Sequence, residues 1–359
     1  MQSNPRQLLL IPEFRKFIIA SNSGRRLMPS GKKVRKGTLT QYDCVLLLLE
    51  EFEQSLPEPL RIQLLHRASI RLLQKERKYW MRFFKQFCHF LYRRKDCFDQ
   101  YVGAVFKVLK TFFRYLSTDK SFPVGDFYKK FRIPGEKFTP VILSPSQLKY
   151  LIINTGFEQS LSGSQKRVRD IFVFGCTVAL RYQDLMRLQK SNIQHTNEGV
   201  YVVLHTQKTG SEIKIPLPDY AQDIVFKYRR KAGKYILPRL SSTNLNLGIK
   251  ALMKKAGWDY NLPKIRQRAG EAVEIKTKTA ESFKFCDHIT AHTMRRTAIT
   301  TLLLMGVDEN SVRKISGHAP GSREFYRYVV VVQEYLNASV KEAHIRLLND
   351  HEFEVQKVA

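Results

Sequence analysis

ITAHTMRRTAITTLLLMGVDENSVRKISGHAPGSREFYRYVVVV, residues 289–332, is the stretch around which the rest of the chain is organised. A helical pattern begins at Thr290 or Ala291, runs to Met305 and stops at Gly306. His292 and Arg295, three apart, therefore share one face near the positive end of that helix, a place suited to an anion. A second short helix, from about Glu309 to Ile315, is expected to end at Gly317 in a left-handed cap and to deliver His318 just beyond it. Tyr328 follows ten residues later on a basic segment. Two imidazoles, a guanidinium and a phenol are groups that suit a phosphodiester. Singly each is a weak signal, since a His-x-x-Arg also reads as a capped helix start with a surface ion pair.

Composition supports a polyanionic partner. The 359 residues carry 61 Lys and Arg against 32 Asp and Glu, a net charge of +29, which points first to nucleic acid and second to a membrane surface. No continuous apolar span near a membrane-crossing length and no signal peptide is seen in the sequence, so a soluble, intracellular protein is expected. Cys44, Cys88, Cys97, Cys176 and Cys286 are scattered without a C-x-x-C pair, which reads as buried free thiols rather than a zinc site or a disulfide framework. With 43% apolar residues, the chain can bury two or three cores.

Residues 1–37 read as a basic N-terminal arm. From Ser21 to Gly37 the sequence holds Arg25, Arg26, Lys32, Lys33, Arg35 and Lys36 with no acid, and it is either a solvated tail or an extended segment laid on DNA. A helical domain is expected over 38–128, with Thr38 or Thr40 as the first cap. Its two clearest stripes are Trp80, Phe83, Phe84, Phe87 and Leu91, then Val102, Val105, Phe106, Leu109, Phe112, Phe113 and Leu116. Their spacing makes these aromatics core, while Arg77, Lys78, Arg82, Lys85, Lys107, Lys110 and Arg114 form basic outer faces suited to a DNA clamp. Residues 129–143 read as an extended linker, and Ser144 before Pro145 caps a new domain.

That domain, 144–350, is mixed, with a tail over 351–359. An apolar helix from Val168 to Leu180 leads to Arg181, which follows buried residues and so needs a partner or a ligand, Asp184 being the nearest brace. VYVVLHT and SEIKIPL alternate in the strand period around Lys208 to Gly210, placing Lys208 at a hairpin end. After a helix near Leu245–Lys255, residues 264–284 are basic and look strand-rich or irregular: a further DNA-contacting loop or a solvated hairpin.

Taken in order, Arg181, Lys208, His292 with Arg295, His318 and Tyr328 resemble the tyrosine recombinase (phage integrase) family over roughly residues 38–348. The resemblance implies a mainly α chain with a small β hairpin or sheet in the catalytic domain: an N-terminal helical core-binding (SAM-like) domain followed by a catalytic domain. Arg181 in VALRYQDL matches the first family arginine, Asp184 its supporting acid and Lys208 the hairpin lysine. His292 and Arg295 match the HxxR pair, His318 the Gly-His position, and Phe325–Tyr328 the run ending in the nucleophile. The family interval from Gly-His lands on Arg327, so Tyr328 is chosen with a one-residue insertion, and Tyr326 is left as a packing residue.

The implied activity is site-specific cleavage and rejoining of DNA strands through a 3′-phosphotyrosine, with Lys208 as general acid and His292 as base or orienter. Arginine forks would hold two phosphate oxygens at once and favour the phenolate. Neither metal nor ATP is then required, in keeping with a sequence that has no Walker loop. Implied partners are double-stranded DNA at specific sites, three further copies of the chain in a homotetramer, and DNA-bending accessory proteins, with no membrane and a cytoplasmic, nucleoid-associated location. A type IB topoisomerase would use much the same groups, and a non-catalytic architectural DNA-binding protein is the reading from a different class.

Overall fold

Leu10, Ile11, Phe14 and Phe17 recur at helical spacing, and in the computed structural model they line one buried face. The structure describes residues 7–135, 140–205, 212–230 and 233–349. Strand β1 (Gln7–Leu9) runs into helix α1 (Leu10–Ser23), where Phe14 and Phe17 meet Phe112, and Phe17 also meets Tyr42 and Tyr115. Residues 7–23 are thus core elements and not part of an arm. Even Arg26 is spent internally: it is buried, lies over the Phe17 ring at 4.8 Å and donates to Ser21 Oγ. The basic run from Ser21 to Gly37 masked the apolar stripe just before it.

Helix α2 (Lys36–Gln54) starts ahead of the expected threonine caps, and the Thr40 hydroxyl bonds back to the Lys36 carbonyl. Strand β2 (Arg61–Gln63) pairs antiparallel with β1, Leu8 opposite Ile62. Helices α3 (Ile70–Arg93) and α4 (Asp99–Thr118) then supply the aromatic core predicted from their periodicity. Trp80 is fully buried and stacks on Phe127 of the following 3-10 turn at 4.7 Å and 2°. Phe84 is only half-buried and stacks on Phe131.

The chain divides into two compact units, one within residues 1–137 plus 265–275, the other within 138–264 plus 276–359. In the second, Ser144 and Gln147 form a reciprocal capping box at the start of α5 (Pro145–Ile153). Helices α6 (Thr155–Ser160) and α7 (Gly163–Val178) follow, the latter buried along its second half, with α8 (Tyr182–Leu185) a single turn after Arg181. A three-stranded antiparallel sheet is ordered β3 (Ile193–Thr196), β4 (Gly199–His205), β5 (Glu212–Pro216), with Val202 opposite Ile215 and both inside. Helices α9 (Asp219–Arg229) and α10 (Ser242–Lys255) complete that layer.

Strands β6 (Lys264–Arg268) and β7 (Glu271–Ile275) make a two-residue hairpin that belongs to the first unit. Ala269 and Gly270 at its tip both have positive φ, the geometry a primed turn needs. Their backbone N–H groups donate to the two oxygens of buried Asp99 at 2.7 and 3.0 Å. Arg268 bonds Asp96 and lies over Phe98, and Arg266 donates to Gln100. At least these two cations of the 264–284 segment are therefore engaged within the unit rather than projecting into solvent.

The remaining helices are α11 (Phe285–His288), α12 (Ala291–Leu304), α13 (Glu309–Ser316) and α14 (Arg323–Asn349). Helix α12 crosses α7 so closely that a Cβ on Gly175 would lie 2.5 Å from Met294 Sδ. Among the described residues no helix is long and apolar enough to cross a membrane. All five cysteines are free; Cys176 and Cys286 are buried as expected, whereas Cys44 is exposed.

Candidate active site

The start of α12 is fixed from two sides: the Thr290 N–H donates to Thr293 Oγ1, and the Ala291 N–H donates to Asn246 Oδ1 from α10. These contacts satisfy backbone donors that a helix start leaves open. From this anchored turn, Arg295 is directed inward and is only 2% exposed. Its Nη1 donates to the Ala179 carbonyl at 2.9 Å. Ala179 ends α7 in the left-handed region, φ 54°, which turns the chain sharply and delivers Arg181 at the cap of α8. Arg181 Nη1 is enclosed and has no hydrogen-bond partner among the described residues, so a buried donor is held unspent. Asp184, buried in α8, acts electrostatically on Arg295.

Helix α13 is capped by Asp308 at one end and closes at Gly317, φ 61°, as its sequence predicts. The left-handed turn places His318 beside Arg295, whose Nη2 is 3.0 Å from Nε2 and 3.2 Å from Nδ1. Ser316, fully buried, donates its hydroxyl to the Val312 carbonyl at 2.6 Å and lies 2.8 Å from His318 Nδ1. With the serine proton already committed, Nδ1–H donates to Ser316 Oγ, and Nε2 accepts from Arg295. Ser316 is a site residue that the sequence pattern did not single out.

Tyr328 lies on α14, 6% exposed, packed with Ala179, Ala298, Ile299, Val312 and Phe325. Its ring is 6.0 Å from that of His318. Burial lowers the pKa of Arg296, the residue after Arg295, while the nearby Tyr328 oxygen opposes that shift. Tyr326 is 49% exposed and sits under Arg313, whose guanidinium is 5.2 Å from its ring. Two residues apart on a helix, the phenols diverge by about 200°. The β-branched run Val329–Val332 does not break the helix, because Val331 and Val332 are buried against the rest of the unit.

The site is electrostatically loaded. Burial, then the neighbouring Arg181, lowers Arg295 to about 10, against the opposing pull of Tyr328, Asp184 and Glu324. His292 keeps an exposed surface, yet the surrounding protein, then Arg296 and Arg295, push it down to about 4. It is a neutral imidazole at neutral pH, able to accept a proton. Arg181, His292, Arg295, His318 and Tyr328 are thus brought together in one unit, whereas Lys208 lies outside the described residues, in the segment joining β4 to β5. Arg296 was missed; its only signal was a doubled arginine.

A model of the phage integrase family matches residues 152–334, just over half of the chain. Solved structures with the same fold include the Tn1549 transposon integrase in complex with circular intermediate DNA: 15% identity, TM-score 0.55, covering 89% of this chain and 95% of that one. A lambda integrase tetramer bound to a Holliday junction aligns at 15% identity and TM-score 0.54, over 88% of this chain and 79% of that one. The XerH site-specific recombinase, bound to a palindromic difH substrate after cleavage, aligns at 11% identity and TM-score 0.56, over 84% and 79%. No match was found among curated protein sequences.

Proposed function

This chain belongs to the phage integrase family, the tyrosine site-specific recombinases, and from that premise we propose that it cleaves and rejoins DNA at specific duplex sites through a 3′-phosphotyrosine. The observation that carries the reading is the joint placement of Tyr328, His318 and Arg295 beside an Arg181 donor with no hydrogen-bond partner among the described residues. Two guanidiniums and an imidazole around one phenol are suited to a phosphodiester whose negative charge grows as phosphorus is attacked.

In this mechanism the Tyr328 phenol loses its proton to His292, directly or through water, and Oη bonds to phosphorus. The bond from phosphorus to the 5′ oxygen breaks with its electron pair, and that oxygen takes a proton. Lys208 is the proposed donor, on the strength of the resemblance alone. Arg181 and Arg295 hold the non-bridging oxygens. His318 joins them once Arg295 has turned from Nε2 to the phosphate and Nε2 carries a proton. Rejoining reverses every step, with the phenolate leaving and a 5′ hydroxyl attacking. One phosphodiester is exchanged for another, so the cycle balances without ATP, and the arginine cations take the part a metal ion plays elsewhere.

The first unit and the net charge of +29 suit a clamp on the duplex. The lambda integrase tetramer on a Holliday junction suggests the same stoichiometry here, four protomers on two duplexes, with accessory DNA-bending proteins as further partners. The experiment is a nicked suicide substrate that traps the covalent adduct. Tyr328→Phe is expected to bind DNA and form no adduct, whereas Tyr326→Phe keeps it. An adduct that persists in Tyr328→Phe and vanishes in Tyr326→Phe moves the nucleophile to Tyr326; persistence in both variants sinks the mechanism. Two-site plasmids that exchange segments, rather than merely relax, separate recombination from a topoisomerase reading.

A further inference from the structure

We propose that Arg313 is a positioning residue for the cleavage reaction: its guanidinium grips the rings of Phe325 and Tyr326 and so fixes the rotation of α14 that turns Tyr328 toward the site and Tyr326 away. The proposal rests on Tyr328 being the nucleophile and deepens that reading by naming what holds it in place. Arg313 lies on α13, five residues before His318. Its side chain is only 12% exposed, and its guanidinium carbon lies 4.5 Å from the Phe325 ring centre and 5.2 Å from that of Tyr326. Nη2 donates to Glu309 Oε2 at 3.0 Å, one turn back on the same helix. Nε is enclosed and has no hydrogen-bond partner among the described residues. The cation is therefore held by two rings and one carboxylate.

Helical geometry turns this grip into a choice of direction. At about 100° per residue, Tyr326 projects about 100° to one side of Phe325 and Tyr328 about 60° to the other. Arg313 reaches the side shared by Phe325 and Tyr326. The same Phe325 ring meets the His318 ring at 5.5 Å and the Tyr328 ring at 6.3 Å, both edge to face. Phe325 is fully buried with Ala298 and Ile299 of α12 and Val312 of α13. One ring thus links the guanidinium to both the phenol and the imidazole.

The start of α14 needs such a hold. It follows an irregular stretch, His318 to Ser322, in which Gly321 has φ 71°. Its first backbone bond, from the Tyr326 N–H to the Ser322 carbonyl, is long at 3.4 Å. Bringing Tyr326 to the place of Tyr328 takes a rotation of about 160°, in which Arg313 loses both rings. Smaller rotations already move the rings off the cation, so the grip opposes them too.

The test is single-turnover adduct formation by the full chain at saturating protein on a nicked suicide duplex, with duplex affinity and its salt slope measured separately. Wild type is compared with Arg313→Met, Arg313→Lys and Tyr326→Leu. Methionine keeps an apolar stem without the charge, lysine keeps the charge, and Tyr326→Leu removes one ring at an exposed position. Arg313→Met is expected to bind the duplex as wild type does and to cleave about fivefold to thirtyfold more slowly, the range that two cation–π contacts imply. Arg313→Lys should recover most of that loss. Tyr326→Leu should show about half of it on a logarithmic scale, and combining it with Arg313→Met should slow cleavage no further. Backbone amides from Arg323 to Tyr328 should exchange faster in Arg313→Met, while those of α12 stay unchanged.

A wild-type rate in Arg313→Met overturns the proposal, as does a lysine variant no better than the methionine one. A deficit that appears as lost affinity with a shallower salt slope makes Arg313 a phosphate contact instead, and strictly additive effects in the double variant remove the grip. Should Arg313→Met fail to fold, Tyr326→Leu and Arg313→Lys decide, and a wild-type rate in Tyr326→Leu refutes. Tyr328→Phe runs alongside: an adduct there removes the nucleophile reading itself, whereas no adduct there with a wild-type rate in Arg313→Met refutes only the role of Arg313.

Discussion

Replacing Arg295 by methionine should abolish cleavage yet leave the DNA-free protein about as stable as before. Lowering an arginine from its ordinary range above 12 to about 10 means that burial and Arg181 disfavour its charge by about 3 kcal/mol, at about 1.4 kcal/mol per pH unit. Because the folded value is the lower one, this penalty is present in full at every pH below about 10 and is relieved only as pH rises beyond it. Against it stand the Ala179 carbonyl, which loses its donor at a cost of about 1–3 kcal/mol, and a small loss of packing and of the His318 contact. The two sides nearly cancel, so Arg295→Met should unfold within about 2 kcal/mol of wild type, in contrast to the roughly 3–5 kcal/mol lost when a buried ion pair is broken. Thermal unfolding by circular dichroism, with sodium sulfate against chloride of equal ionic strength, reads both halves of the argument. An anion at tenfold excess over its Kd should stabilise wild type by about 1.4 kcal/mol and the variant only by the general effect of sulfate. A variant destabilised by more than about 4 kcal/mol, or a sulfate response equal in both proteins, would refute a site held at a cost until its anion arrives.

His292 should titrate near pH 4 by NMR; since the unfolded chain takes up a proton near 6.5, stability should fall as pH drops from 6.5 to about 4, and His292→Gln should flatten that window. Gly175→Ala drives a methyl against Met294 and Leu185 where α7 crosses α12, and should cost about 1–3 kcal/mol in urea unfolding; a neutral effect would mean the helices part easily. Phe14→Ala should cost about 3–5 kcal/mol, as for any buried phenylalanine, and a loss below about 0.5 kcal/mol would return residues 7–23 to a tail.

The parts of the site that could be read in advance are those built from local rules. Ser144 before Pro145, Gly317 after a short amphipathic run, and His292 with Arg295 inside a capped first turn all declare themselves within a few residues. Helix α1 was hidden by averaging: its stripe of Leu10, Ile11, Phe14 and Phe17 was absorbed into a segment judged by the basic run that follows. Ser316 escaped for another reason: its role depends on the imidazole two residues on, and no periodicity encodes that. The pairing of Asp99 with the tip of the β6–β7 hairpin, some 170 residues away in sequence, was equally invisible.

That last pairing sets a timetable for synthesis. At about 5–20 residues per second, a ribosome that has finished residue 137 needs roughly seven to thirty seconds to reach residue 275. Throughout that interval Asp99 lacks the backbone N–H groups of Ala269 and Gly270, and the surface that will carry Arg266 and Arg268 stays bare. The first unit to emerge is therefore not the first to be finished: its last piece is supplied from within the second, and release of the nascent amino-terminal helices from chaperones should follow translation of the hairpin rather than of the linker.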